Sequence, residues 1–256
     1  MAINKTDALI LKSIKLRETS KILTLFTRQF GLEKLVAKGA RSFKSHYYGS
    51  LEPLNHVNIV FYHKPNRDLQ LLHQADIIHS FPGIRQNLNK TAHALAICEI
   101  ILKTQFAAEP NERLFQLILD TFLAINQTPF SPFLNYLAFE LKMLDLTGLN
   151  PNLSHCFICK KEINNQSVKF EPAGGGIVCE HCIAHENGLS LSNKGLRFLN
   201  WLREQAQTEI CQHQIPITIL HEADKILSAY MDYHLEDFGP LKAMDFILRI
   251  QQNDIS

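Results

Sequence analysis

The sequence predicts an α+β multidomain chain: a small N-terminal β-barrel, then a mainly α-helical domain into which a four-cysteine loop is inserted. Three observations predict it. The first eighty or so residues read as short apolar strands, the spacing of apolar residues then becomes helical, and two Cys-x-x-Cys pairs interrupt the helical part.

Thr6–Leu16 is apolar enough for a strand, and Lys21–Arg28 and Leu32–Lys38 flank Gln29-Phe-Gly31, a hairpin signal. Val57–Tyr62 and Leu69–Ile78 flank a second turn, Lys64-Pro-Asn-Arg-Asp68. About five strands in some eighty residues suit a closed barrel. The OB-fold is the commonest nucleic-acid-binding choice, and an SH3-like barrel fits nearly as well. After Phe81-Pro-Gly83 the period changes: Leu88–Phe106, Leu114–Ile125 and Phe133–Leu146 have helical spacing, separated by Pro110 and by Thr128-Pro-Phe-Ser-Pro132. Leu149-Asn-Pro151 ends that run, and beyond the cysteines Asn193–Arg203, Glu222–His234 and Leu241–Ile250 are again helical. The expected division is 1–80 for the barrel, 81–150 and 189–256 for the two helical parts, and 151–188 for the cysteine segment.

Cys156-Phe-Ile-Cys159 and Cys179-Glu-His-Cys182, nineteen residues apart, have the spacing of a four-thiolate zinc site. With four thiolates no position stays open for water, which marks a structural ion. A thiol–disulfide pair and an iron centre are the competing readings. The first lacks the βαβ context of a thioredoxin-like motif. His155, His181 and His185 could replace a ligand, but the complete cysteine set makes them spectators. Gly174-Gly-Gly176 before the second pair suggests sharp turns, since glycine tolerates positive φ. Cys98 and Cys211 sit in apolar stretches and read as ordinary buried residues.

The formal net charge of +1 conceals a polarised chain. Residues 1–80 hold twelve Lys/Arg against six Asp/Glu, and the remainder fourteen against nineteen. From Lys12 to Lys44 there are nine cations, opposed by Glu18 and Glu33. That asymmetry suggests a polyanion-binding first domain on a more acidic body, with a solvated basic surface as the alternative. Lys12, Lys15, Arg17 and Lys21 surround the turn after the first strand, and Lys38, Arg41 and Lys44 follow in a segment punctuated by Gly and Ser. These are the phosphate-contact candidates. Phe43, Tyr47 and Tyr48 could stack on unpaired bases, although core packing is the expected fate of the two tyrosines.

No run of eighteen apolar residues is present and the start lacks the apolar stretch of a signal peptide, so no membrane partner is expected, and six cysteines, four of them in the metal set, point to a reducing cytoplasm. No phosphate-binding G-x-x-x-x-G-K-[ST] loop, G-x-S-x-G elbow or H-E-x-x-H pair occurs. His221-Glu222 lacks the second histidine of a zincin, and Glu236-Asp237 reads as a solvated pair. No enzyme is expected.

The run Ala37-Lys-Gly-Ala-Arg41, leading through Lys44-Ser-His46 to Leu51-Glu-Pro53, resembles the RecO family of bacterial DNA repair proteins. So does Cys156-Phe-Ile-Cys159 followed by Phe170-Glu-Pro-Ala-Gly-Gly-Gly176 and Cys179-Glu-His-Cys182. The likeness spans essentially the whole chain. It implies an OB-fold that binds single- and double-stranded DNA and anneals complementary strands. It also implies work with RecR in RecF-pathway loading of the recombinase, and a grip on the acidic C-terminal tail of the single-stranded DNA-binding protein. For that tail an apolar groove in Leu88–Leu146 is expected, with Lys103, Arg113 or Lys142 at its rim. Some family members lack the cysteines, so the metal is expected to be scaffold. Two other classes remain: a zinc-ribbon RNA-binding or transcription-associated protein, and an adaptor whose barrel binds protein.

Overall fold

The computed structural model describes residues 2–42, 44–47, 49–64, 67–104, 109–163, 167–183 and 188–253. The architecture is α+β, as the change of hydrophobic period requires. Five strands come first: β1 (Ala2–Leu16), β2 (Ser20–Thr27), β3 (Gly31–Ala37), β4 (His56–His63) and β5 (Gln70–His79). They close into a barrel in the order β1-β2-β3-β5-β4.

Closure depends on β1, whose 15 residues serve two partners. Its first half pairs with β4 and its second with β2, and the register shifts between Ile10 and Lys12. A bulge there bends the strand, which a barrel of few strands needs at its corners. A short parallel contact of Leu35 with Gln70 and Val36 with Leu71 completes the ring. The interior is filled by Ala8, Ile10, Leu23, Leu25, Leu35, Val57, Ile59, Phe61 and Leu72, all buried. Tyr47 is in that core too, 4% exposed, its hydroxyl donating to the carbonyls of Leu72 and His73 at 3.2 and 3.0 Å. It is therefore a packing residue, and the tyrosine expected in the core is there. Phe43 and Tyr48 lie outside the described residues.

Packing gathers the helices otherwise than their order along the chain. One compact unit contains the barrel together with α1 (Pro82–Arg85), α2 (Leu88–Lys103), α3 (Glu112–Gln127) and the last helix, α8 (Lys242–Asn253). The Glu99 carboxylate of α2 accepts from the backbone N–H of Lys242 and Ala243 at 2.7 and 3.0 Å, so an acid caps the N-terminus of α8. Phe115 of α3 lies 6.1 Å from Phe26 of β2, and the Arg28 guanidinium covers the Phe115 ring at 4.8 Å.

The second unit, Gln127–Pro240, is built around α4 (Phe133–Leu146), of which nearly every residue is buried. A helix buried on nearly every side, Asn135 and Glu140 included, belongs in a core. Around it stand α5 (Asn193–Glu204), α6 (Gln207–Ile210) and α7 (Ile217–His234). Between α4 and α5 the chain forms a three-stranded antiparallel sheet of β6 (Val168–Glu171), β7 (Gly176–Val178) and β8 (Leu189–Leu191), in the order β7-β6-β8. Phe170 of β6 meets Tyr230 of α7 edge-on at 5.7 Å, which seats the sheet on the helices. Among the described residues no helix is long and apolar enough to cross a membrane.

Candidate metal centre and nucleic-acid interface

The two cysteine pairs converge. The sulfurs of Cys156, Cys159, Cys179 and Cys182 all lie within 4.8 Å of one another, and those of Cys159 and Cys179 are 3.8 Å apart. Zn–S bonds of ~2.3 Å in a tetrahedron put sulfurs ~3.8 Å apart, so the set fits a tetrahedral thiolate-bound ion such as zinc. All four are free thiols at separations well beyond an S–S bond.

The backbone shapes each knuckle. Lys160 N–H closes the first turn onto the Cys156 carbonyl at 2.9 Å, with Lys160 itself at φ +61°. Cys182 N–H and Ile183 N–H close the second onto the Cys179 carbonyl at 2.9 and 3.1 Å. The Cys179 N–H also points at Cys156 Sγ, 3.5 Å away. Burial pushes the Cys156 thiol up, but the N–H groups of Cys159, Cys179 and Ile158 outweigh it and bring it down to about 6. The hydrogen bond with Cys179 and the neighbouring thiols instead push Cys182 up to about 12, so a metal binding here would displace a proton from Cys182.

The glycine run does two jobs. Gly175 has φ +74° and turns the chain between β6 and β7. Gly174 and Gly176 are needed for closeness: a Cβ at Gly174 would sit 2.5 Å from the Phe157 ring, and one at Gly176 would sit 2.7 Å from the Asn152 carbonyl. The sequence suggested only the turn. His155 and His181 are outside the sulfur cluster, His155 Nδ1 being paired with Ser154 Oγ at 2.8 Å. His185 lies outside the described residues.

The seven cations singled out in the sequence divide into groups. Lys12 is exposed on the outer wall of the barrel, where Thr24 separates it from Lys34 in one cross-strand row. Adjacent strands are ~4.8 Å apart, so these two ammonium groups are rooted ~10 Å from each other. Lys15 and Lys21 are paired in register. Lys21 is tied to Glu52 at 2.8 Å, which relieves the repulsion of that like-charge pair and withdraws Lys21 from the free charge. Arg17 occupies the tight β1–β2 turn at φ +53°, and its carbonyl accepts from Arg41 Nη1 at 2.7 Å. Two exposed arginines are thereby brought to one barrel end. Lys38 and Lys44 are exposed beyond the end of β3.

The two family models that match are those described as Recombination protein O N terminal, over residues 1–81, and Recombination protein O C terminal, over residues 85–245. The chain belongs to the RecO family. A DNA repair protein RecO from Desulforamulus reducens is 30% identical over 256 residues, covering 100% of this chain and 98% of the relative. That of Caldanaerobacter subterraneus subsp. tengcongensis is 32% identical over 248 residues, covering 96% and 98%. In this RecO-family chain, sequence reasoning overlooked Lys34, Lys64 and Arg67. Lys34 joins Lys12 only through strand register, and Lys64 and Arg67 reach the same barrel end as Lys38 only because the β4–β5 hairpin is placed there by pairing. The charge imbalance of the first eighty or so residues included all three; their position was the missing information.

Proposed function

We propose that this RecO-family chain is a non-enzymatic DNA repair and recombination mediator whose barrel, an OB-fold, binds single and double strands and anneals complementary ones. The observation that carries the reading is the concentration of exposed cations on the barrel: Lys12 and Lys34 on its wall, and Lys15, Arg17, Lys38, Arg41 and Lys44 toward the end bearing the β1–β2 turn and the end of β3. Such side chains lower the repulsion between two polyanions and keep both within reach. Base pairing then supplies the favourable free energy, so no nucleotide hydrolysis is required.

In this reading Cys156, Cys159, Cys179 and Cys182 hold a structural Zn2+ that folds the small sheet of the second unit. The family resemblance supports RecR as partner in recombinase loading. An acidic C-terminal tail on the single-stranded DNA-binding protein would find an apolar seat in the second unit. A cleft of about 760 Å³ lined by Phe130, Leu134, Ile217 and Leu220 meets a second, lined by Phe198, Trp201, Lys194 and Arg197, at Ile215 and Pro216. Apolar walls with two exposed cations at one end suit such a peptide. Of the rim charges expected from sequence, Lys142 instead donates to the Gln205 carbonyl, and Lys103 and Arg113 belong to the other unit.

The test is annealing of complementary oligonucleotides without nucleotide, across a salt series, with Arg41→Glu/Lys44→Glu alongside after circular dichroism and a metal assay show it folded. Salt-sensitive annealing that the variant loses supports the mediator. A wild type that neither binds nor anneals at low salt overturns it in favour of the adaptor, and tighter binding to RNA in direct competition favours the RNA-binding class.

A further inference from the structure

The barrel's outer face carries a cleft of about 250 Å³ between β3 and the β4–β5 hairpin. Its walls are Val36, Tyr62, Leu69 and Leu71, and Lys38, Lys64 and Arg67 stand around it. The register explains the apolar floor. Val36 is paired with Leu71, and Leu71 with Tyr62, so three outward-facing residues on three neighbouring strands fall in one row. That row continues through Ile22 to Ile14 on one side and to Ile3 on the other. Ile3 and Ile14 are 66% and 45% exposed. A continuous apolar row across the solvent side of a barrel, bordered by cations, is the kind of patch that marks a binding surface.

The backbone at Lys64 and Arg67, which carries two of the cations, is held in place. Gln70, 5% exposed, donates from Nε2 to the carbonyls of Lys64 and Arg67 at 3.1 and 2.7 Å, while its Oε1 accepts from Lys64 N–H at 2.9 Å. A buried primary amide with three hydrogen bonds to one hairpin fixes where Lys64 and Arg67 begin. Among the described residues, Lys38, Lys64 and Arg67 have no ion-pair partner.

We propose that this cleft is a base-binding subsite that makes the barrel selective for single strands. An unpaired base lies against Tyr62, Val36 and Leu71, and its flanking phosphates meet Lys38, Lys64 and Arg67. A duplex keeps its bases paired and stacked inward, so it reaches the cations alone. The inference rests on the DNA-binding reading above and adds to it the form of DNA and the contacting residues.

The experiment measures fluorescence anisotropy of labelled oligo(dT), of an abasic oligomer of equal length and charge, and of a duplex, each with full-length wild type, Tyr62→Ala and Tyr62→Phe. Wild type binds oligo(dT) more tightly than the abasic strand. Tyr62→Ala weakens oligo(dT) by about tenfold, which is ~1.4 kcal/mol and within the range of base–aromatic stacking, and erases the preference over the abasic strand. Tyr62→Phe keeps it, and duplex affinity shifts far less in either variant. Equal wild-type affinity for oligo(dT) and the abasic strand overturns the subsite without requiring any variant to fold, and leaves general DNA binding intact. A proportional loss on duplex in a folded Tyr62→Ala overturns it as well. Failure of wild type to bind any of the three overturns the DNA-binding reading itself.

Discussion

Replacing Lys12 and Lys34 together by glutamine tests whether the outer wall of the barrel contacts phosphates. Both side chains are exposed, flank Thr24 in one cross-strand row and form no ion pair among the described residues, so the fold should change by no more than ~0.5 kcal/mol. If each contacts one phosphate, the slope of log affinity against log salt for a single strand flattens by about 1.4, at ~0.7 per contact. Referred to ~1 M salt, that change weakens binding at ~0.1 M by about 25-fold, or ~1.9 kcal/mol. Lys21→Gln is the internal control. Its ammonium is already paired with Glu52, so its removal should flatten the slope less and cost stability instead, by ~0.2–1 kcal/mol. The assay is equilibrium binding of an oligonucleotide at several salt concentrations, with thermal melts in parallel. A folded double variant with the wild-type slope would refute the placement of DNA on this wall. A Lys21→Gln slope as flat as that of the double variant would refute the use of ion pairing to rank these cations.

Three further outcomes are expected. Cys179→Ser should lose the bound metal, measured by elemental analysis, and lower the melting temperature of the second unit, because a buried ligand and the N–H bond to Cys156 Sγ are disturbed together. Gly174→Ala places a methyl 2.5 Å from the Phe157 ring and should destabilise by ~1–3 kcal/mol in denaturant melts; Phe157→Ala combined with it should recover part of the loss, a coupling absent if the glycine serves only the turn. His56 is buried, with neither ring nitrogen hydrogen-bonded among the described residues, and burial, opposed by Asp7 and reinforced by His79 and Arg28, lowers its pKa to about 4. The unfolded chain therefore takes up the proton first, so stability falls as pH drops from ~6.5 toward 4. His56→Phe should flatten that part of the stability–pH curve, and an unchanged curve would remove His56 as its source.

Much of the fold was legible because its signals are local. Apolar runs and turn residues marked all five barrel strands, and the longer helices carried their own periodicity. The cysteine pairs were legible because Cys-x-x-Cys turns two sulfurs to one point whatever surrounds it. The strands β6, β7 and β8 were not legible: they are three or four residues long, too short for a period to register, and exist through pairing with one another and packing on α7. The apolar stripe of α8 announced a helix but could not name α2 as its partner, since a stripe specifies only that something covers it.

By itself the sequence determined that a cationic barrel precedes a helical body and that four thiols sit at metal-binding spacing, because composition, period and short spacing are properties of neighbouring residues. The tertiary structure alone decided which charges act together. Strand register set Lys34 beside Lys12, and the closing of the barrel brought Val36, Leu71 and Tyr62 into one row beneath Lys38, Lys64 and Arg67. Glu52, thirty-one positions along the chain, took Lys21 out of that set. These choices rest on contacts between distant segments, where a shift of one residue in pairing turns every side chain to the opposite face.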